Sequence, residues 1–242
     1  MDKVSFIIPT YGEPELIEKC VNAINKNYSF DKEIIIVDDG FGIERNLHGV
    51  NYVVSDANYG FATSINKGVE IAIGNIICSI NSDVFLHENC IENMINCLEF
   101  ADIVGAKLLY PDGRIQHAGQ AYMGNYQICH HTSDQPSRYI PVTGALMIMK
   151  LSTFLALGGF DENFFVAYED VDFCFRAIME EFKVYYCKQA TATHIEGGTR
   201  GNSILTKKVK NPEAYKKEQK SLEYFKSKWS EPLIRQLLTP KY

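Results

Sequence analysis

The sequence predicts an α/β fold in which a mostly parallel sheet carries helices on both faces. Short β-branched runs alternate with helical patterns through the first hundred residues, the rhythm that lays successive strands side by side in one direction. The run Ile34-Ile35-Ile36-Val37 is apolar without alternation, as an interior strand covered on both sides requires. Hydrophobic residues at 46% and charged residues at 22% of a 242-residue chain supply one sizeable core and argue against disorder and against a membrane protein.

Taken in order, 4–11 (VSFIIPTY) is the first strand, and Leu16, Cys20, Ala23 and Ile24 place a helix against it. The second strand is 33–40 (EIIIVDDG) and the third lies in NYVVSD. A helix from about Phe61 to Ile73, a strand over 75–84 (NIICSINSDV) and a helix near 88–100 continue the alternation. From residue 101 the pattern changes to shorter, mixed strands: ADIVGAKLLY, RIQHAGQAYM after a Pro-Asp-Gly turn, a polar loop at 130–138, and VTGALMIMK. Val171, Cys174, Phe175, Ile178 and Phe182 then recur at helical spacing, and a late apolar strand closes at His194. Tyr215, Leu222, Phe225 and Trp229 mark an amphipathic helix near 212–229.

Residues 142–160 form the best candidate for a membrane span, but Lys150 stands at the centre, where a charge costs at least ~2.5 kcal/mol. A strand, a turn and a short helix account for the segment without a membrane. The apolar run at the N-terminus is too short for a signal peptide. The seven cysteines (20, 78, 90, 97, 129, 174 and 187) are odd in number, with no Cys-x-x-Cys pair, so reduced thiols and a cytoplasmic location are expected. Residues 200–242 carry a net +7 and the rest of the chain −13. Such a tail either addresses an anionic membrane surface or phosphate-bearing partner, or neutralises the acidic body as a solvated helix. No base-reading module is recognisable, which ranks nucleic acid last among its partners.

In an open α/β sheet, ligands bind beyond the carboxyl ends of the strands. There the sequence places Pro9-Thr10-Tyr11 with Glu13 just beyond, Asp38-Asp39-Gly40, and Asn81-Ser82-Asp83. Each alone is also an ordinary turn; three converging on one crevice suggest a sugar, base or metal site. No Gly-x-Gly-x-x-Gly follows the first strand and no Gly-Lys-Ser/Thr loop exists, which argues against a dinucleotide cofactor and a P-loop. In NYGFATSINKG, Asn58, Gly60 and Asn66 surround a helix start whose free N–H groups either face a nucleotide or are satisfied by the turn itself. Asp83 offers an oxygen to a divalent cation, and His194 a nitrogen that would favour manganese or magnesium over calcium, unless it serves only as a hydrogen-bonding core residue.

Glu169, Asp170 and Asp172 crowd the first turn of their helix. The position favours negative charge by about 0.3–1 kcal/mol each, which keeps a carboxylate ionised and able to accept a proton. Capping needs one acid; three beside the aromatic FDENFFVAY run point to a base held at a cleft wall. Between 114 and 138, Gln116, His117, His130 and His131 are available for acceptor hydroxyls or are plain surface-loop residues.

Taken together, VSFIIPTYG, IIIVDDG, NYGFATSINKG, INSDV, YPDGRIQHAG, VTGALMIM, GGFDENFF, YEDVDFCFR and HIEGG resemble, in order, the family 2 glycosyltransferases, in particular the rhamnosyltransferase-like and O-antigen-type branch. The resemblance covers residues 4 to about 199. It implies a GT-A fold, with a catalytic domain over 1–205 (a nucleotide-binding half to residue 100, an acceptor half beyond) and a basic helical tail over 206–242. It also implies a nucleotide-diphosphate sugar donor, with uridine and thymidine diphosphate sugars both admissible, a divalent metal (manganese or magnesium), inversion at the anomeric carbon, and a glycan or lipid-linked acceptor. Carried over by position, Pro9, Thr10, Tyr11, Glu13, Asp38, Asp39, Asn58 and Asn66 would surround the nucleoside. Asn81, Ser82 and Asp83 match the Asp-x-Asp motif with asparagine in the first place, and His194 matches a histidine that some members use as metal ligand. Asp170, paired with Glu169, would be the general base, and Arg200 in the glycine-flanked GGTRGNS would face the departing diphosphate. No membrane helices of the processive synthases follow the core, so transfer of a single sugar is expected. The competing readings are a sugar nucleotidyltransferase on a related sheet, which would want a basic glycine-rich loop that PTYGEPELIEK lacks, and a non-catalytic nucleotide-sugar-binding protein.

Overall fold

The computed structural model describes residues 2–195 and 212–238. A sheet organises the chain, with main-path strand order β10-β12-β6-β11-β4-β1-β2-β3. Its parallel half consists of β1 (Val4–Thr10), β2 (Lys32–Asp38), β3 (Asn51–Val54) and β4 (Ile76–Ile80), with Ile7 in register with Ile35 on one side and Ser79 on the other. β11 (Leu146–Lys150) enters antiparallel between β4 and β6 (Ile103–Leu109), and β12 (Val184–His194) runs parallel to β6. Only β11 and the two-residue β10 (Arg138–Tyr139) oppose the other six strands of the main path, so the sheet is mostly parallel. β5 (Val84–Leu86) pairs with the end of β12, and β7 (Ile115–His117) with the end of β6.

Residue alternation divides the core in two. Phe6, Ile8, Ile34 and Ile36 face α1 (Pro14–Asn27) and α3 (Cys90–Cys97), whereas Ile7, Ile35 and Val37 face α2 (Phe61–Glu70), α4 (Leu151–Ala156) and α5 (Glu169–Met179). Both faces are covered, which is why strands such as β2 have no polar side. On α1 the buried stripe is Ile17, Cys20, Val21 and Ile24, rotated by about one residue from the face expected, because Ile17 and Val21 outcompete Leu16 and Ala23 for the core. All seven cysteines are free thiols.

Three other differences from expectation concern where elements stop or start. The 75–84 run breaks after Ile80, and Asn81–Asp83 becomes a turn between β4 and β5. RIQHAGQAYM splits at Ala118-Gly119 into β7 and β8 (Gln120–Gly124), and β8 pairs with β9 (Gln127–His130) as a separate hairpin. The C-terminal segment holds two helices, α6 (Pro212–Lys228) and α7 (Glu231–Leu238). Phe225, Ile234, Leu237 and Leu238 from these helices and Trp229 from the link between them pack on Phe164, Val171 and Phe175, so the tail completes a third core against α5.

Candidate active site

The carboxyl ends of β1, β2 and β4 carry the polar residues expected of a ligand site. The Thr10 hydroxyl donates to the Gly12 carbonyl at 2.8 Å, turning the chain so that Tyr11 projects outward. Tyr11 stands edge-on to Phe41, centroids 5.5 Å apart, and both rings are exposed. Phe41 was not singled out from the sequence; an aromatic side chain between Gly40 and Gly42 was the available signal. Asp38 is buried and accepts backbone N–H bonds from Phe41, Gly42 and Ile43 at 2.8–2.9 Å, which makes it the organiser of that turn. Asp39 accepts from the N–H groups of Tyr59 and Gly60 at 2.9 and 2.7 Å, tying the β2 tip to the start of α2. Gly60 has φ 95°, and a Cβ there would lie 2.1 Å from the Phe165 carbonyl oxygen, so glycine is required where these backbones cross.

Asp83 and His194 are brought together. Val84 is in register with His194, the Ile195 N–H donates to the Asp83 carbonyl at 3.1 Å, and His194 Nε2 lies 3.1 Å from Asp83 Oδ1. The other ring nitrogen, Nδ1, bonds Gln116 Oε1 at 2.8 Å. Glu13 approaches the same place from the end of β1: burial first, and the Asp83 charge second, push its carboxyl above the ordinary carboxylate value. Among the described residues no group of three His, Cys, Asp or Glu side chains is placed to hold a metal. The Asp83–His194 pair supplies one oxygen and one nitrogen, a donor set that suits manganese or magnesium when phosphate oxygens and water complete the shell.

Asp170 sits at the N-terminus of α5 with Oδ1 accepting from the Val171 N–H at 2.8 Å and Oδ2 from the Gly144 N–H at 3.0 Å. Gly144 lies just before β11, between Asp170 and the end of β4. Its carbonyl accepts the Ser79 hydroxyl at 2.8 Å, and the next carbonyl, of Ala145, accepts the Asn81 N–H at 2.9 Å. One short segment thus joins the Asp170 carboxylate to the turn that bears Asp83. Ala167 and Tyr168, immediately before, have φ of 65° and 70°, a left-handed conformation that costs non-glycine residues on the order of 1–3 kcal/mol each and clusters at functional sites. Tyr168 is held there by Phe225, ring centroids 4.9 Å apart.

The other acids of the YEDVD turn differ from Asp170. Asp172 is fully buried and structural: Arg176 Nε, Trp229 Nε1 and Lys228 Nζ all reach its carboxylate at 2.7–2.9 Å. Glu169 is buried as well.

Some sequence-predicted residues have other employment. The Asn66 amide donates to the Phe160 carbonyl and Glu162 Oε1 and accepts the Phe160 N–H, all within 2.8–2.9 Å, so it holds the 159–162 loop. Gln116 and His117, expected to meet acceptor hydroxyls, are buried. Burial pushes the His117 imidazole well below its ordinary value, and its Nε2 accepts from the Gly119 and Thr143 N–H groups. His130 and His131 are half-buried, with His131 Nε2 2.9 Å from Arg138 Nη2. Pro9, Asn58, Asn81 and Ser82 are half-buried at or beside the strand tips, and Arg200 lies outside the described residues. A cavity of about 640 Å³ lined by Asn75, Ile76, Lys150 and Leu155 opens at the opposite end of the strands, away from this chemistry.

The sheet and its helices match solved structures of other proteins. GalNAc-T7 with UDP, GalNAc and Mn2+ superposes with a TM-score of 0.68 at 12% identity, covering 80% of this chain and 43% of that one. The mannosyltransferase PcManGT of Pyrobaculum calidifontis, in complex with GDP-Man and Mn2+, gives 0.62 at 15%, covering 98% of this chain and 79% of that one. These likenesses bear out the GT-A-type sheet. In sequence the chain is 23% identical over 225 residues to the O-antigen biosynthesis protein RfbC of Myxococcus xanthus, covering 82% of this chain and 18% of that protein. It spans less than a third of the length of the first curated relatives that it matches. The family model of glycosyl transferase family 2 matches residues 5–154, and the chain belongs to that family.

Proposed function

We propose that this chain is an inverting glycosyltransferase that moves one sugar from a nucleotide-diphosphate donor, uridine- or thymidine-linked, to an acceptor hydroxyl, with Asp170 as general base. The observation that carries the proposal is the placement of the Asp170 carboxylate. The Val171 N–H in the first turn of α5 and the Gly144 N–H hold its two oxygens, and the Gly144–Ala145 segment connects it to the turn bearing Asp83. A positioned carboxylate that takes the acceptor proton contributes about 10²- to 10⁴-fold to the rate. Exposed Tyr11 and Phe41 offer π-faces to the nucleobase, while Asp38 and Asp39 keep the loops around them in shape. A divalent ion, held by Asp83 and His194, would supply the charge that stabilises the departing diphosphate.

The proposed acceptor is a glycan or lipid-linked sugar, approached from the side of the β8–β9 hairpin. Several basic side chains of the tail act within the molecule: Lys228 pairs with Asp161 and Asp172, Lys216 with Glu213, Lys226 with Glu223, and Lys217 lies 3.4 Å from the Phe165 ring centroid. The Lys216 and Lys226 pairs lie within the tail helix, whereas Lys228 reaches two acids of the body; that contact favours the tail as a brace against the acidic body over a membrane-binding patch. Among the described residues no helix is long and apolar enough to cross a membrane.

The experiment is to incubate the protein with Mn2+, a panel of uridine- and thymidine-diphosphate sugars and simple glycoside acceptors, and to read the anomeric configuration of the product by NMR. An α-linked donor giving a β-linked product supports the proposal. Retained configuration, or, in a parallel incubation with added pyrophosphate, formation of sugar 1-phosphate and nucleoside triphosphate, overturns it.

A further inference from the structure

Gln116 lies on β7 and His194 at the end of β12, and both strands flank β6: Leu108 and Leu109 pair with His117 and Ile115 on one side and with Ala192 and Thr193 on the other. The contact between the two side chains therefore spans β6 and is fixed by sheet register rather than by a loop. Gln116 is 2% exposed and His194 8%, so water does not compete freely for either. Next door, the His117 ring accepts the Gly119 and Thr143 N–H groups and anchors β7 to the segment that carries Gly144.

A neutral imidazole has one N–H donor and one bare nitrogen, and a side-chain carbonyl oxygen can only accept. With Gln116 Oε1 2.8 Å from Nδ1, the proton belongs on Nδ1 and Nε2 is left with its lone pair. That lone pair faces Asp83 Oδ1 at 3.1 Å. Either a second proton, as in the imidazolium, or a metal cation relieves the repulsion between two such acceptors, and the neutral Nδ1–H ring is the form whose Nε2 a metal can take. We propose that Gln116 is a positioning residue: it sets the Nδ1–H tautomer and ring orientation of His194, so that Nε2 and Asp83 present a preformed pair of donors to a divalent cation. The inference rests on the metal site of the proposed function and adds the group that aims it. Outer partners of metal-bound histidines act in this way, and their loss typically costs about 10- to 100-fold in metal affinity.

The test uses the whole chain and Mn2+ alone, with free Mn2+ measured by electron paramagnetic resonance and no donor present. Gln116→Met keeps the side-chain length and removes the acceptor; Gln116→Glu restores an acceptor. The expected result is a 10- to 100-fold loss of Mn2+ affinity in Gln116→Met, recovery in Gln116→Glu, and a ¹⁵N signature of the Nδ1–H tautomer for His194 in the metal-free wild-type protein. If His194→Ala lowers Mn2+ affinity and Gln116→Met leaves it unchanged, the positioning role fails while the metal site stands. If His194→Ala also leaves it unchanged, both fail. Should Gln116→Met not fold, the wild-type ¹⁵N spectrum decides: an Nε2–H tautomer overturns the proposal.

Discussion

Replacing Asp172 with alanine tests how the C-terminal helices are held against α5. The carboxylate is fully buried and accepts from three donors at 2.7–2.9 Å: Arg176 Nε, Lys228 Nζ and Trp229 Nε1. Removing one partner of a buried ion pair costs about 3–5 kcal/mol, and an orphaned buried N–H alone about 1–3. The Arg176 and Lys228 side chains keep 21% and 27% of their exposure and can turn partly to water, which places the loss at the lower end, about 3 kcal/mol. For a domain of this size each kcal/mol moves Tm by roughly 2–4 °C, so a fall of about 6–12 °C is expected. Trp229 is the protein's single tryptophan, so its emission reports the docking directly. Asp172→Ala should redden that emission at temperatures where the sheet is still folded. A Tm within about 2 °C of wild type, with unshifted emission, would refute the clamp.

Two further outcomes concern Asp161, which shares Lys228 with Asp172, and Tyr11 at the tip of β1. Burial alone would raise the Asp161 carboxyl, but donors from Lys228, Asn163 and Tyr224 outweigh it and hold the group at about 2. The stability it contributes is present above the unfolded carboxylate value of about 3.9 and is lost as pH falls toward 2, so acid melts of Asp161→Asn should be flatter than wild type across that window. Tyr11→Ala, which removes an exposed aromatic face, should raise the donor KM by about 5- to 150-fold with little change in kcat, a range set by ~1–3 kcal/mol for one stacked base; steady-state kinetics with the preferred donor checks it.

Strands β1, β2 and β4 were legible because they are buried on both faces, so composition alone marks them. The helix at Glu169 was legible because apolar spacing and an acidic first turn agree. Part of what escaped depends on contacts distant in sequence. Asn66 sits in a motif that resembles a nucleotide contact, yet its amide partners lie 94 and 96 residues away in the 159–162 loop, and no local pattern encodes that pairing. The β8–β9 hairpin was missed although Gly124-Asn125 is a turn signal, since Asn125 and Tyr126 both take positive φ, which a tyrosine does not advertise. Helix α7 carried its own signals, Pro232 in the first turn and the spacing of Ile234, Leu237 and Leu238, but the longer α6 pattern overshadowed it. Gln116 could be read only as a polar residue in a strand; its partner became visible when register placed β7 and β12 on either side of β6.

The most direct test of the account is Asp170→Asn, measured for both donor affinity by calorimetry and turnover under saturating donor and acceptor. The side chain's size is kept along with one of its two backbone contacts; the amide NH2 cannot accept the second N–H and cannot take a proton. The account predicts turnover reduced by about 10²- to 10⁴-fold with donor affinity unchanged. Turnover at the wild-type rate would contradict it.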